Sequence, residues 1–140
     1  DNIKPKLIIV IDSLASKSIE RISSTIQISD TGIVPGAGVG NTRKELSKNT
    51  LGVPVIAIGV PMVVDVATIT NDCLDIFIEN LQSQAKSNDY LNNLKNQDNY
   101  EEIKTALNPR DYNMIVTPKE VDDLIENMKN IVAKSINYAI

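Results

Sequence analysis

Leu7-Ile8-Ile9-Val10-Ile11 is an unbroken apolar run rich in β-branched residues, the pattern of a strand covered on both faces. It ends in Asp12, which that pattern puts at the strand's carboxyl end. Leu14, Ala15, Ile19 and Ile22 then stand near helical spacing and predict a short helix over Ser13 to Ile22. Thr25 to Asp30 alternates apolar and polar side chains, as a half-exposed strand does. Val53 to Val60 is a second buried-type strand, with Pro54 tolerable only near its start. After Pro61, residues Val66, Ile69, Cys73, Leu74, Phe77, Ile78 and Leu81 recur at three and four. They predict an amphipathic helix from about Val64 to Gln82, with Asp65 as its cap. On that apolar face Cys73 reads as core filler.

Residues 85–112 are rich in Asn and poor in hydrophobics, and within them only Tyr100 to Leu107 has helical spacing. They read as a polar, mobile insertion. Met114-Ile115-Val116 is a short extended piece. Thr117-Pro118-Lys119-Glu120 then has the signature of a helix start, with Thr117 as N-cap, Pro118 first in the helix and Glu120 three past the cap. Val121, Leu124, Ile125, Met128, Ile131, Val132 and Ile136 form the stripe that follows. Asp122, Asp123 and Glu126, in its early turns, favour the helix dipole on a solvated face. Strands alternating with helices give an α/β fold with a mostly parallel sheet and helices on both faces. Residues 1–140 are expected to be one domain.

Composition narrows the chemistry. The chain has 140 residues, enough for one domain with a core. Histidine is absent, which excludes Ser-His-Asp and Cys-His machinery and His-based zinc sites within this chain. One cysteine excludes internal disulfides and fits a reducing compartment. A net charge of -4, no Trp and one Phe argue against a nucleic-acid partner. No apolar run approaches the roughly 20 residues of a membrane helix, and no secretory signal is evident, so a cytoplasmic location is expected. A strand arriving by residue 7 is expected of a piece cut from a longer chain.

In open α/β sheets, ligands gather at the carboxyl ends of strands. Asp12, Asp30 and the glycine-rich loop hold such positions. Asp12 is either a general base, one half of a carboxylate pair activating water, or a cap for the following helix. Asp30-Thr31-Gly32 copies the short signature of pepsin-like proteases, but those are all-β, and the same triplet is a good turn. Gly36-Ala37-Gly38-Val39-Gly40-Asn41 meets neither the dinucleotide nor the P-loop pattern. It reads as a close-approach loop lining a cleft, with Arg43 and Lys44 at hand for an acidic group.

Four strings carry a resemblance. Ile9-Val10-Ile11-Asp12-Ser13-Leu14-Ala15-Ser16-Lys17-Ser18 is similar to the Ile-Asp-Ala-Leu-Ala-Ala-Arg-Ser block of the germination protease family of spore-forming bacteria. Thr25 to Ile33 with Pro35-Gly36 and Gly38-Val39-Gly40-Asn41 resembles its glycine-rich block. Leu51 to Pro61 with Val64-Asp65, and Ile115 to Asp122, resemble two more. The resemblance implies an endopeptidase that degrades small acid-soluble spore proteins during germination, made as a zymogen and assembled as a homotetramer in the spore core. It implies a layered α/β sandwich similar to hydrogenase-maturation peptidases, and an atypical aspartic mechanism using two aspartates. Asp12 corresponds to one of them. The other belongs to an upstream Thr-Pro-Asp-x-Leu-Gly-Pro block that does not occur here, so the chain resembles an incomplete C-terminal fragment.

On this reading Asp12 is catalytic, and Asp30, Gly36, Gly38, Gly40 and Asn41 are candidates for the substrate cleft. Ser13 and Ser16 replace Ala of the family block, and Val34 stands where relatives can carry His. No cofactor is expected. Two other readings remain: a catalytically incompetent scaffold or assembly fragment, and a metal-dependent peptidase in which Asp12 and another carboxylate hold a divalent ion. The missing imidazole counts against the second.

Overall fold

The computed structural model describes residues 3–40, 42–84, 99–107 and 114–140. Strand β1 (Ile8–Ser16) lies parallel to β3 (Val55–Asp65) along its full length, from Ile8 opposite Val55 to Ser16 opposite Val64. Two short strands run antiparallel to β3: β2 (Gln27–Ser29) on its other edge and β4 (Ile115–Val116) near its end. The sheet is therefore mixed, with the parallel ladder by far the longest. Among the described residues β1 pairs along one side only.

Two elements depart from the sequence pattern for one reason. Residues 13–16 do not start a helix; they continue β1, because Ser13, Leu14, Ala15 and Ser16 each find a partner on β3. The predicted helix shrinks to a 3₁₀ turn at Ile19–Arg21. Likewise β3 does not stop at Val60 but runs through Pro61 to Asp65. A proline is tolerated here because β2 has already ended at Gln27, opposite Gly59, so no strand on that side needs its missing N–H. The Pro61 carbonyl instead accepts from Ser23 N–H at 2.7 Å. At this point the ladder also slips: Leu14 faces Pro61 but Ala15 faces Val63, leaving Met62 as an extra residue.

The α elements are α1 (Lys48–Leu51), α2 (Val66–Gln84), α3 (Tyr100–Leu107) and α4 (Val121–Ala139). Helix α4 covers one sheet face. Its Val132 joins Ile58, Val60 and Met62 in the buried core, with Val121, Leu124, Met128 and Ile136 packed around them. The inward stripe is narrower than the sequence implied, since Ile125 and Ile131 are exposed. The helix also starts later than Thr117: Val121 N–H bonds the Pro118 carbonyl in a turn, and Leu124 N–H to the Glu120 carbonyl opens the regular ladder. In α2 only part of the predicted apolar face turns inward. Ile78 is buried, but Cys73, Phe77 and Leu81 are exposed, so Cys73 is not core filler. Of the polar stretch 85–112, the helix foreseen over Tyr100 to Leu107 is present and lies against α2; most of the remainder falls outside the described residues.

Candidate active site

Strands β1 and β3 end side by side, and a cleft of about 440 Å³ opens at that end. Ala15 and Ser16 line it from the end of β1 and Lys17 from just past it, Gly38 from the glycine loop, Asp65 from the end of β3, and Thr68, Asn71 and Asp72 from the first turns of α2. Tyr100 of α3 closes it. A smaller cavity of about 160 Å³ continues past Gly38, Asp65 and Tyr100 along Ala37–Gly40 to Lys104 and Ile115. Gly38 has to be glycine, because a Cβ there would stand 2.8 Å from the Ala15 Cβ. Its bare backbone lets the loop lie directly on the end of β1.

Asp65 is the polar centre of the cleft. Its Oδ1 accepts the Thr68 N–H at 2.8 Å, so it caps α2 as the sequence predicted. Its Oδ2 accepts the Thr68 hydroxyl at 2.9 Å and the Tyr100 hydroxyl at 3.2 Å. Burial, then the Asp65 charge and this hydrogen bond, hold the Tyr100 phenol above its ordinary range. The Lys104 ammonium lies 5.7 Å from the centre of the Tyr100 ring. Asp72 accepts the Ile19 N–H at 2.9 Å and fixes the turn after β1.

The structure separates the residues that the sequence grouped as a site. Gly38 lines both cavities and Gly40 the smaller; Gly36 borders neither and holds the turn before Ala37–Val39 at φ 74. Asn41 lies outside the described residues. Asp30 is exposed just past β2 and lines neither cavity, and its triplet makes a turn with Gly32 at φ 97. Asp12 is not at a strand end. It sits mid-ladder opposite Gly59, half-buried, four residues before the strand closes, and lines neither cavity. Among the described residues the one hydrogen bond of its carboxylate is from Ser13 N–H to Oδ1, at 2.9 Å.

Thr68 and Tyr100 carried no signal as site residues. They reach Asp65 only through the fold, Thr68 by the first turn of α2 and Tyr100 across 35 positions of sequence. Among the described residues no three His, Cys, Asp or Glu side chains gather as a metal site would require.

A sequence profile of the germination protease family matches residues 1–94 and 80–140. The chain belongs to the germination protease family. It is 49% identical over 144 residues to the germination protease of Clostridium perfringens (strain SM101), covering 100% of this chain and 44% of the relative. The protein of the same name from Caldanaerobacter subterraneus subsp. tengcongensis is 46% identical, again over 100% of this chain and 44% of its own length. That of Bacillus cereus (strain AH187) is 42% identical over 172 residues, 98% of this chain and 47% of its own. The chain thus spans less than half the length of these relatives.

Proposed function

We propose that this chain is the C-terminal part of an endopeptidase that cleaves small acid-soluble spore proteins during germination. The observation that carries the reading is the family match along the whole chain at nearly half identity. The full fold would be a layered sandwich of the hydrogenase-maturation-peptidase kind. Water attack on the scissile carbonyl is assisted by two aspartates, of which Asp12 is one. The Ser13 N–H fixes Oδ1 and so orients the carboxylate, leaving Oδ2 to hold the water and take its proton. The second aspartate, from polypeptide outside this chain, donates its proton to the carbonyl oxygen. Asp12 then passes the proton taken from water to the leaving amine as the C–N bond breaks, and the second aspartate recovers its proton from the collapsing tetrahedral hydroxyl.

The cleft around Asp65 and the glycine loop receives an extended stretch of the substrate, since Gly38 brings bare backbone to its edge. Assembly as a homotetramer in the spore core has room in the exposed apolar side chains of Ile11, Ile28 and Phe77. No cofactor takes part, and neither nucleic acid nor membrane is a direct partner. Among the described residues no helix is long and apolar enough to cross a bilayer.

In the complete protease, Asp12→Asn abolishes cleavage of an acid-soluble spore protein with the fold intact; retained turnover removes Asp12 from the mechanism. A second reading, a non-catalytic assembly piece, is favoured by the position of Asp12 in mid-strand, where it lines neither described cavity. Asp12→Asn with full activity, together with loss of assembly on changing Phe77 to Glu, would establish it.

A further inference from the structure

Asp12, Gly59 and Gln27 form one row across β1, β3 and β2: Gly59 is the register partner of both Asp12 and Gln27. Directly opposed residues on neighbouring strands project from the same face, so Asp12 and Gln27 stand on one face with no side chain between them in the row. That face is the one away from α4, because the adjacent row of Ile11, Ile58 and Ile28 holds Ile58, which packs under Val132. The space directly above Gly59 is filled by the side chain of Leu14, whose Cγ would lie 2.7 Å from a Cβ at that position, and Gly59 is buried beneath it.

Two strand spacings separate the backbones of Asp12 and Gln27 by about 10 Å, too far for their side chains to bond directly. It is about the length of three residues of extended peptide. Among the described residues the exposed carboxamide of Gln27 makes no hydrogen bond. Its neighbour on the same face, Ser29, is engaged with the hydroxyl and N–H of Thr31. A primary carboxamide offers a donor and an acceptor together, matching the C=O and N–H of a peptide group.

We propose that Gln27 is a substrate-positioning residue, binding a peptide group of an extended substrate that crosses β2, β3 and β1 above Gly59 and bringing the scissile bond to Asp12. The inference rests on the reading of Asp12 as a catalytic carboxylate. Glycine at 59 lets the Leu14 side chain lie low against β3, and the partly exposed Leu14 supplies the apolar surface over which the substrate chain passes.

The test is steady-state cleavage of an acid-soluble spore protein by the complete protease. Gln27→Ala is expected to raise KM about fivefold to tenfold, the worth of one or two hydrogen bonds, with kcat within about twofold. The thermal midpoint stays unchanged, and Ser29→Ala moves neither constant. An unaltered KM in Gln27→Ala, or an equal effect from Ser29→Ala, overturns the proposal. Asp12→Asn separates the two claims: if it still turns over, the catalytic reading fails, while KM of Gln27→Ala still decides the role of Gln27. If the parent protease does not cleave the spore protein, fluorescence anisotropy reads binding instead. Weaker binding by Gln27→Ala upholds the positioning role, and absence of binding by the parent overturns it.

Discussion

Tyr100 donates its phenolic hydrogen to Oδ2 of Asp65, across 3.2 Å and 35 positions of sequence. This bond ties α3 to the junction where β3 turns into α2. Everything at the mouth of the cleft hangs on that junction, since Asp65 serves as strand end, helix cap and acceptor at once.

The raised phenol of Tyr100 gives a signed pH effect. The folded state favours the protonated form, so its contribution is complete below the unfolded phenol value of about 10 and is lost as pH rises through the higher folded value. A thermal-midpoint series from about pH 8 to about pH 11 should fall more steeply for the parent than for Tyr100→Phe. Parallel curves would mean that the bond is not kept in solution.

Asp65→Ala removes the cap of α2 and both hydroxyl partners. A loss of about 1–2 kcal/mol is expected, read from denaturant unfolding. Thr68→Val, which keeps the backbone N–H to the Asp65 carboxylate and deletes only the hydroxyl, should cost less.

Gly59→Ala drives a methyl group into Leu14. The expected penalty is about 1–3 kcal/mol, because the leucine must leave its rotamer or the ladder must shift. Leu14→Ala in the same chain should recover part of it, and the coupling is measured by a double-mutant cycle.

Ile78 is 2% exposed, and Ile78→Ala should cost about 2–5 kcal/mol in unfolding free energy. Glu126 makes the opposite case. Its hydrogen bond to Lys129 and that ammonium's charge lower its carboxyl, which would withdraw stability only as pH falls through the lowered value. Both partners lie in solvent, so Glu126→Gln should leave the melting midpoint where it is.

What the sequence made readable was periodicity with a single owner. The seven apolar positions after Pro61 mark α2, the spacing of Tyr100 to Leu107 marks α3, and the stripe from Val121 to Ile136 marks α4. Ser13 to Ile22 misleads because Leu14 and Ala15 fit two periods at once; pairing with Pro61 and Val63 decides for the strand. Pro61 hides the length of β3, since a proline is an acceptable strand residue only where no neighbour wants its N–H. That depends on where β2 stops. The exposure of Cys73 and Phe77 is equally invisible in the pattern, which tells which side of a helix is apolar and not how much of it is covered.

The candidate site was legible in its loop and blurred in its carboxylates. Gly38 earns its place because glycines concentrated in one loop imply close approach, and the loop does approach Ala15. Asp65 was visible as a cap but not as the hub of a cleft, for its companions Thr68 and Tyr100 arrive from different elements. Asp12 looked terminal only because the strand containing it changes from apolar to polar residues before it ends.

Strand β1 leaves nine residues of backbone with one flank bare among the described residues. Its amide and carbonyl groups there point at whatever polypeptide drifts by, and Ile11 beside them adds adhesive surface. Produced by itself, this chain should therefore be a poor solute that seeds ordered fibres through self-recruitment. Dye-binding kinetics, and their suppression by a lysine at Ile11, would register that behaviour.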